Sequence, residues 1–447
     1  MPKLLYLPLF LFFAPPSDSY AQNPATDSLL LIVEKGQEDT GTVIAYRMLT
    51  GMIYSSDPAT AVFYGKSGAS MGKKIGFDKG VAGCLLNIAV AYSSAGKLDS
   101  AILYIDTAID WSVKVGEPAR IALAFLNRAD YKRQLGNMKE ALKDCDTSML
   151  YAEKANRDDT KARIYQTIGS VYHMQDNWEQ SRSFYDRAYR LYEKGSNKRM
   201  MAISLNNLGN VFKHLAQYDS AINNFKNAIQ LSSEVGDRGN IPMYYSNIGA
   251  VYFEKGDLQD AEDNSLQSLA LAREQENPVQ ITGSQTVLAN IYLKKGKFTN
   301  AIDAATEAYI LSAENKMLIE GQTAADILAE AYYKSGNYRD AYRYAQISKG
   351  LLDTVSRQKY DEEVARMQTS FKVIEKDREI ELLAKDKLLQ QQKLQRQKIL
   401  IISSVAIAVL SLSGIWLLAN RSKLKHRMKE LELRNRIAAD LHDEVGS

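Results

Sequence analysis

A histidine and an aspartate stand side by side in the C-terminal string LRNRIAADLHDEVGS, and this pair is the best suited in the chain to covalent chemistry. Ile437, Leu441 and Val445 recur at i, i+4 and i+8 and form an apolar stripe on one helix face. His442 falls about 100° around from Leu441, on the flank of the stripe, where an imidazole reaches solvent beside a helix-bundle seam. A neutral imidazole with one nitrogen free accepts a phosphoryl group when its other nitrogen is held, and Asp443 is placed to take that second proton as a base. A lone His-Asp pair on a helix is also an ordinary surface pair, so the elements that carry it must decide.

Upstream of the pair, Ile399 to Ala419 reads ILIISSVAIAVLSLSGIWLLA, without a single charge. At the helical rise it covers roughly 31 Å, which makes it a transmembrane helix. Trp416 sits at the level of an interfacial aromatic. Lys and Arg flank both ends of this span, so basic charge does not orient it. The N-terminus does: Lys3, the apolar run Leu4 to Ala14, two prolines and Ser19-Tyr20-Ala21 make residues 1–21 a secretory signal peptide. An exported start and one span place the preceding residues in the periplasm and 420–447 in the cytoplasm, in the inner membrane. Ser404, Ala408 and Ser411 form a small-residue stripe on which a second copy can pack. Residues 354–398, rich in Lys, Glu, Gln and Leu, read as a long helix or coiled coil, and no proline follows Pro278 to break it.

The middle of the chain repeats itself. LNIAVAYSSAGKLDSAILYIDTAI at 86–109 is echoed at 205–229 and 288–309, on a constant 40-residue period. One small-residue column runs Ala61, Ala101, Ala141, Ser181, Ala221, Ala261, Ala301, Ala341; a second runs Gly68, Ala108, Ser148, Ala188, Ala228, Ser268, Ala308, Ser348. A turn column (Gly96, Gly136, Asp176, Ala216, Gly256, Gly296, Gly336) stands five positions before the first. Aromatics at Tyr92, Tyr172, Phe212, Tyr252, Tyr292 and Tyr332 stand four before the turns. The columns predict a helix, a tight turn and a second helix, with small residues at the crossing and aromatics filling the hollow between neighbouring units. Eight repeats cover 42–353. The pattern resembles the tetratricopeptide repeat, as Gly209, Phe212, Ala221 and Ala228 show. It departs from it in a 40-residue unit where about 34 is usual, implying longer helices or longer loops, and in lacking a proline at the repeat end. The resemblance implies an all-α solenoid of helical hairpins that binds proteins on the face lined by the first helix of each pair. That face carries Asn87, Asn127, Asn207 and Asn247 in one column, with Asn210, Asn290 and Lys213 nearby. Such amides suit the backbone of an extended peptide, although they also suit solvent.

Other chemistries are disfavoured. With 56 basic and 53 acidic residues the net charge is +3, too balanced to point to nucleic acid. Cys84 and Cys145 stand far apart and read as small buried apolar residues. His173 and His214 have no third ligand for a metal. GKSGASMGKK at 65–74 lacks the glycine and the Ser or Thr of a phosphate loop.

The C-terminal string resembles the phosphoacceptor box of histidine kinases of the nitrate-sensor and lipid-desaturation-sensor type, through Arg434, Arg436, Ile437, Ala438, Leu441, His442, Asp443 and Gly446. The whole arrangement resembles repeat-bearing sensor kinases of the Bacteroidetes type. That resemblance implies a sensor histidine kinase and a homodimer, with residues 420–447 beginning the dimerisation and phosphoacceptor helix. His442 is implied as acceptor of the γ-phosphoryl of ATP, Asp443 as base, and an aspartate of a response regulator as the next recipient. ATP and magnesium are implied for a complete kinase but not for this chain, which ends before an ATP-binding domain. Ser447 stands where a phosphatase-assisting Gln is common, which puts phosphatase activity in doubt. Two other readings stay open: a membrane-tethered scaffold without activity, and a transmembrane regulator with a DNA-binding C-terminus.

Overall fold

The computed structural model describes residues 24–445, and every regular element in them is a helix. The signal-peptide reading of 1–21 lies outside the described residues, as do Gly446 and Ser447. A short α1 (Pro24–Glu34) precedes the first pair, α2 (Thr40–Ile53) with α3 (Pro58–Lys74). The following pairs are α4 (Asp78–Ser94) with α5 (Leu98–Val115), α6 (Pro118–Gln134) with α7 (Met138–Lys154), and α8 (Asp158–Met174) with α9 (Trp178–Lys194). Next come α10 (Lys198–His214) with α11 (Tyr218–Glu234), α12 (Ile241–Lys255) with α13 (Leu258–Glu274), and α14 (Pro278–Lys294) with α15 (Phe298–Glu314). Last are α16 (Leu318–Lys334) and the start of α17 (Tyr338–Val445). The segment 65–74 lies inside α3 and forms no loop.

Most of these helices are 17 residues long, so the extra length of each unit goes into helices rather than loops. A residue with left-handed φ closes nearly every helix, at Gly76, Gly96, Gly116, Gly136, Asn156, Asp176, Ser196, Ala216, Gly236, Gly256, Glu276, Gly296, Lys316 and Gly336, one every 20 positions. After most of them the next amide donates to the carbonyl five positions back, as from Lys97 to Tyr92 at 2.9 Å and from Asn337 to Tyr332 at 2.9 Å, which is the Schellman closure.

Both small columns are buried, from Ala61 and Gly68 through Ala341 and Ser348. A Cβ on Gly68 would lie 2.7 Å from Tyr46 Cβ and 2.8 Å from Cys84 Sγ, so the backbone there approaches too closely even for alanine. The aromatic column differs from the expectation. Tyr92 stacks on Tyr104 at 5.2 Å, Tyr172 on Phe184 at 5.6 Å and Tyr332 on Tyr344 at 5.6 Å. Each partner stands at i+12, on the second helix of the same pair, so these rings brace the hairpin itself rather than filling the hollow between pairs.

The two helices of a pair are clasped at the end opposite their turn. Asp78 meets Lys114 at 2.9 Å and Asp158 meets Lys194 at 2.9 Å, while Lys198 and Glu234 hold the same register at 3.0 Å with the signs exchanged. Being largely exposed, each contributes at most about 1 kcal/mol; they set register more than stability.

Residues to Gln358 form one compact unit and those from Lys359 a second. The second unit is helix to Val445. Within it, one segment in Leu389–Ile437 is long and apolar enough to cross a membrane. Its apolar side chains, from Ile399 to Leu418, are exposed along the helix, as a lipid-facing surface requires.

Candidate functional site

The first helices of the pairs pack directly on one another, α2 on α4, α6 on α8, α12 on α14 and α14 on α16, while the second helices stand further apart. The first helices therefore line the inner face of the repeat unit. Two adjoining cavities open on this face. One, of about 470 Å³, is lined by Gly51, Tyr54, Leu86, Asn87, Leu123, Asn127, Asp130, Tyr131, Arg133 and Arg163 among others. The other, of about 200 Å³, shares Asp130, Arg133 and Arg163 and adds Gln166, Thr167, Ile203 and Asn207.

Helical spacing explains this convergence. Within each first helix the lining residues recur at i, i+4, i+7 and i+10, as Leu123, Asn127, Asp130 and Arg133 do on α6, so they share one face. The asparagine column supplies the second of these positions. Each of its amides spends one end on the fold. Asn87 donates to the Arg47 carbonyl at 2.8 Å, and Asn127 accepts from Arg163 Nη2 at 3.5 Å. Asn247 donates to Asn206 Oδ1 at 2.9 Å, and Asn206 donates to Asn207 Oδ1 at 3.4 Å. The other end of each is available to a ligand. Asn290 donates to the Thr286 carbonyl at 3.1 Å, Lys213 stands 3.8 Å from Glu254, and Asn210 is half-buried. None of these three lines the two cavities.

The charged members were not singled out from sequence. Asp130 Oδ1 accepts from Thr167 Oγ1 at 3.1 Å and lies 3.5 Å from Arg133 Nε. Arg163 is half-buried and, among the described residues, meets no carboxylate. Tyr131 is 4 % exposed, and its hydroxyl has no hydrogen-bond partner among the described residues. Burial raises its pKa, with the Asp130 charge adding to the shift and Arg163 opposing it.

Further along the face, His173 and His214 come together with their ring centroids 5.4 Å apart, and Trp178 stacks on His214 at 4.2 Å. Burial, and then the neighbouring His214, hold the pKa of His173 below its ordinary value. Among the described residues no three His, Cys, Asp or Glu side chains assemble as a metal site.

His442 and Asp443 lie on α17, whose helix runs to Val445. Their side chains lie outside the described residues, as does Gly446 of the same box.

A model of the MalT-like TPR region matches residues 134–411, more than half of the chain. The chain belongs to this family. The MalT-like TPR region takes in α7 to α16 with much of α17, and a tetratricopeptide repeat model separately matches residues 82–112, on α4 and α5. Among solved structures, the signal transduction ATPase with numerous domains (STAND) protein with a tetratricopeptide repeat sensor from Pyrococcus horikoshii is similar at TM-score 0.56 and 13% identity, over 76% of this chain and 55% of that one. Aspartyl phosphate phosphatase F from Bacillus subtilis is similar at TM-score 0.51 and 14% identity, over 74% of this chain and 85% of that one. At these identities the likeness is one of fold. A comparison with curated proteins gives no match.

Proposed function

We propose that this MalT-like TPR protein is the sensing and phosphoacceptor part of a membrane-anchored histidine kinase. The repeat unit receives a protein or peptide ligand on its inner face, outside the membrane. His442 accepts a phosphoryl group inside, with Asp443 drawing the proton from its second nitrogen, and a response-regulator aspartate receives the group next. The observation that carries the reading is the string Arg434 to Gly446, eight matching positions in sequence, of which those to Asp443 lie on the helix that contains the apolar span. Along that helix His442 stands roughly 32 Å beyond Arg421, deep enough to clear the lipid headgroups. ATP and magnesium belong to the catalytic domain of a kinase of this type; the part assigned to residues 420–447 is the acceptor. Two copies side by side, packed through Ser404, Ala408 and Ser411, would pass a shift in the repeats along α17 to His442.

The test uses the full chain in lipid nanodiscs, labelled ATP and the catalytic domain of a histidine kinase of the same type, beside a His442→Gln variant. Acid-labile, alkali-stable label that the variant loses supports the acceptor. If no label forms on the parent chain, a membrane-tethered repeat scaffold replaces this reading.

A further inference from the structure

Two of the chain's four histidines meet across a junction between repeats. His173 is the last residue but one of α8, Trp178 opens α9 and His214 ends α10, so the three rings come from two successive pairs. Trp178 lies flat on His214, 4.2 Å away and within 3° of parallel, and His173 turns its edge to both, 5.1 Å from Trp178 and 5.4 Å from His214. No other repeat holds a histidine: one repeat either side, Arg133 and Lys213 stand in the place of His173, and Met174 and Glu254 in the place of His214. The rings sit at a loose seam. The backbones of α8 and α10 stand further apart than those of α6 and α8 or of α12 and α14. Side chains bridge the gap, the rings at one end and Gln166 with Ser204, at 3.2 Å, further along.

A neutral aromatic ring has a positive edge and a negative face, so the edge of His173 is drawn to the face of His214. A first proton is tolerated there. On His214 it makes a cation over the indole of Trp178, at the C-terminal end of α10, where the helix dipole favours positive charge. A second proton places two like charges in one ring contact, with His173 half-buried. Of the charged groups around His173, Asp176 in the α8–α9 turn opposes that repulsion and Lys213 adds to it. Others near by are engaged: Lys213 lies 3.8 Å from Glu254 of α12, Glu179 pairs with Arg182 on α9, Asp219 of α11 meets Lys255, and Arg133 of α6 rests on Met174. We infer that the three rings are an acid-released latch between two repeats, closed while at least one imidazole is neutral and opened when both carry a proton. Burial and then His214 hold the pKa of His173 below its ordinary value of 6.5, so release falls on the acid side of that pH. The helices that part, α8 and α10, also carry Gln166, Thr167, Ile203 and Asn207 of the smaller cavity, so release widens it. With the repeats outside the membrane, a placement taken from the proposed function, the latch meets the pH of the surroundings.

The test uses the full chain in nanodiscs with Trp111→Phe and Trp416→Phe, which leave Trp178 as the one indole. Spin labels are carried at Gln180→Cys and Ser220→Cys, exposed and equivalent positions in the first turns of α9 and α11. Both native thiols are buried and stay unlabelled. Between about pH 7.5 and about pH 4.5 the imidazolium should quench Trp178 emission about twofold. The distance between the labels should lengthen in a reversible step below pH 6.5. His173→Phe and His214→Phe each keep a ring in place but leave one ionisable group, so the lengthening should disappear in both, while His173→Phe keeps the quenching. Circular dichroism melts at neutral pH show whether a variant is folded, and if one melts early the other decides. Lengthening that persists in the folded variants, or quenching of the parent chain without lengthening, or no change in either signal down to about pH 4.5, overturns the latch. Neither measurement involves a ligand or a phosphoryl group, so its failure leaves the proposed kinase role standing.

Discussion

Lys132 on α6 reaches Asp144 on α7 at 2.8 Å, in the same i, i+12 register in which Tyr92 stacks on Tyr104 and Tyr332 on Tyr344. One hairpin thus replaces the ring pair of its relatives with an ion pair. Arg128 completes it, donating to both oxygens of Asp144 at 2.7 and 2.8 Å and to Asp106 at 2.7 Å. Burial alone would lower the pKa of Arg128, but the two carboxylates outweigh it and raise the pKa.

Asp144 is buried between two cations, so Asp144→Ala should leave them facing each other and cost about 3 kcal/mol. The readout is amide hydrogen exchange in α6 and α7, which should speed about 100-fold if those helices open as one unit. Exchange confined to its present rate would show that Asp106 alone suffices to hold Arg128.

Turn residues with a side chain carry strain that glycine removes. Ala216 sits at φ 53 and Gly256 at φ 92. Ala216→Gly should stabilise by about 0.5 kcal/mol, the relief of a left-handed alanine less glycine's extra freedom in the unfolded chain. Gly256→Ala should destabilise by about 0.5–1 kcal/mol, the same strain less the unfolded-state freedom that alanine removes. Thermal melts of the two variants should move in opposite directions.

Gly68→Ala should destabilise by about 1–3 kcal/mol, because the new methyl would strike Tyr46 and Cys84 in a close-packed seam. Ala108→Gly, at the equivalent position one repeat on, creates a void instead and should cost less. Equal melting points for the two variants would show that α2 can shift to make room.

The pKa of His173 is held below its ordinary value of 6.5 by burial and then by His214, with Lys213 acting in the same sense and Asp176 against it. The unfolded chain therefore takes a proton first as pH falls. The contribution of His173 to stability is complete above pH 6.5 and is lost progressively below it as pH falls through the folded-state pKa. His173→Phe should flatten the pH dependence of the melting temperature on the acid side of that value, and a slope identical to that of the parent chain would assign it to other groups.

Burial pushes the Cys84 thiol up to about 12 and raises that of Cys145 as well. Both should resist a maleimide in the folded chain at neutral pH and react within minutes once it is unfolded. Rapid labelling of the native protein would mean that the α2–α4 or α6–α7 seam opens often.

Much of this was legible in the sequence because close contact leaves a narrow choice of residue. The small columns and the turn column reflect sterics, and sterics repeat from unit to unit; the helix over 354–398 was legible because no proline interrupts it. The stacking partner of the aromatic column was not legible, since a column records size and says nothing of its neighbour. Asn207 and Asn247 were found through their repetition. Arg163 was missed for the converse reason: its counterparts are Gly83, Leu123, Ile203 and Met243, with no type in common, and only its place four positions before the asparagine column marks it as facing inward.

The spacing of left-handed residues implies a rule for how such a protein can change length. With one reversal of direction every 20 positions, the chain alternates between inward and outward helices on a strict count. Loss of a whole repeat, such as a deletion joining Leu135 to Asp176, removes a pair and leaves each later helix with its accustomed surroundings. Loss of a single helix with its turn puts every later helix inside out, carrying the asparagines to the outer surface and the outer residues into the groove. Growth and shrinkage of the stack are thereby quantised in pairs.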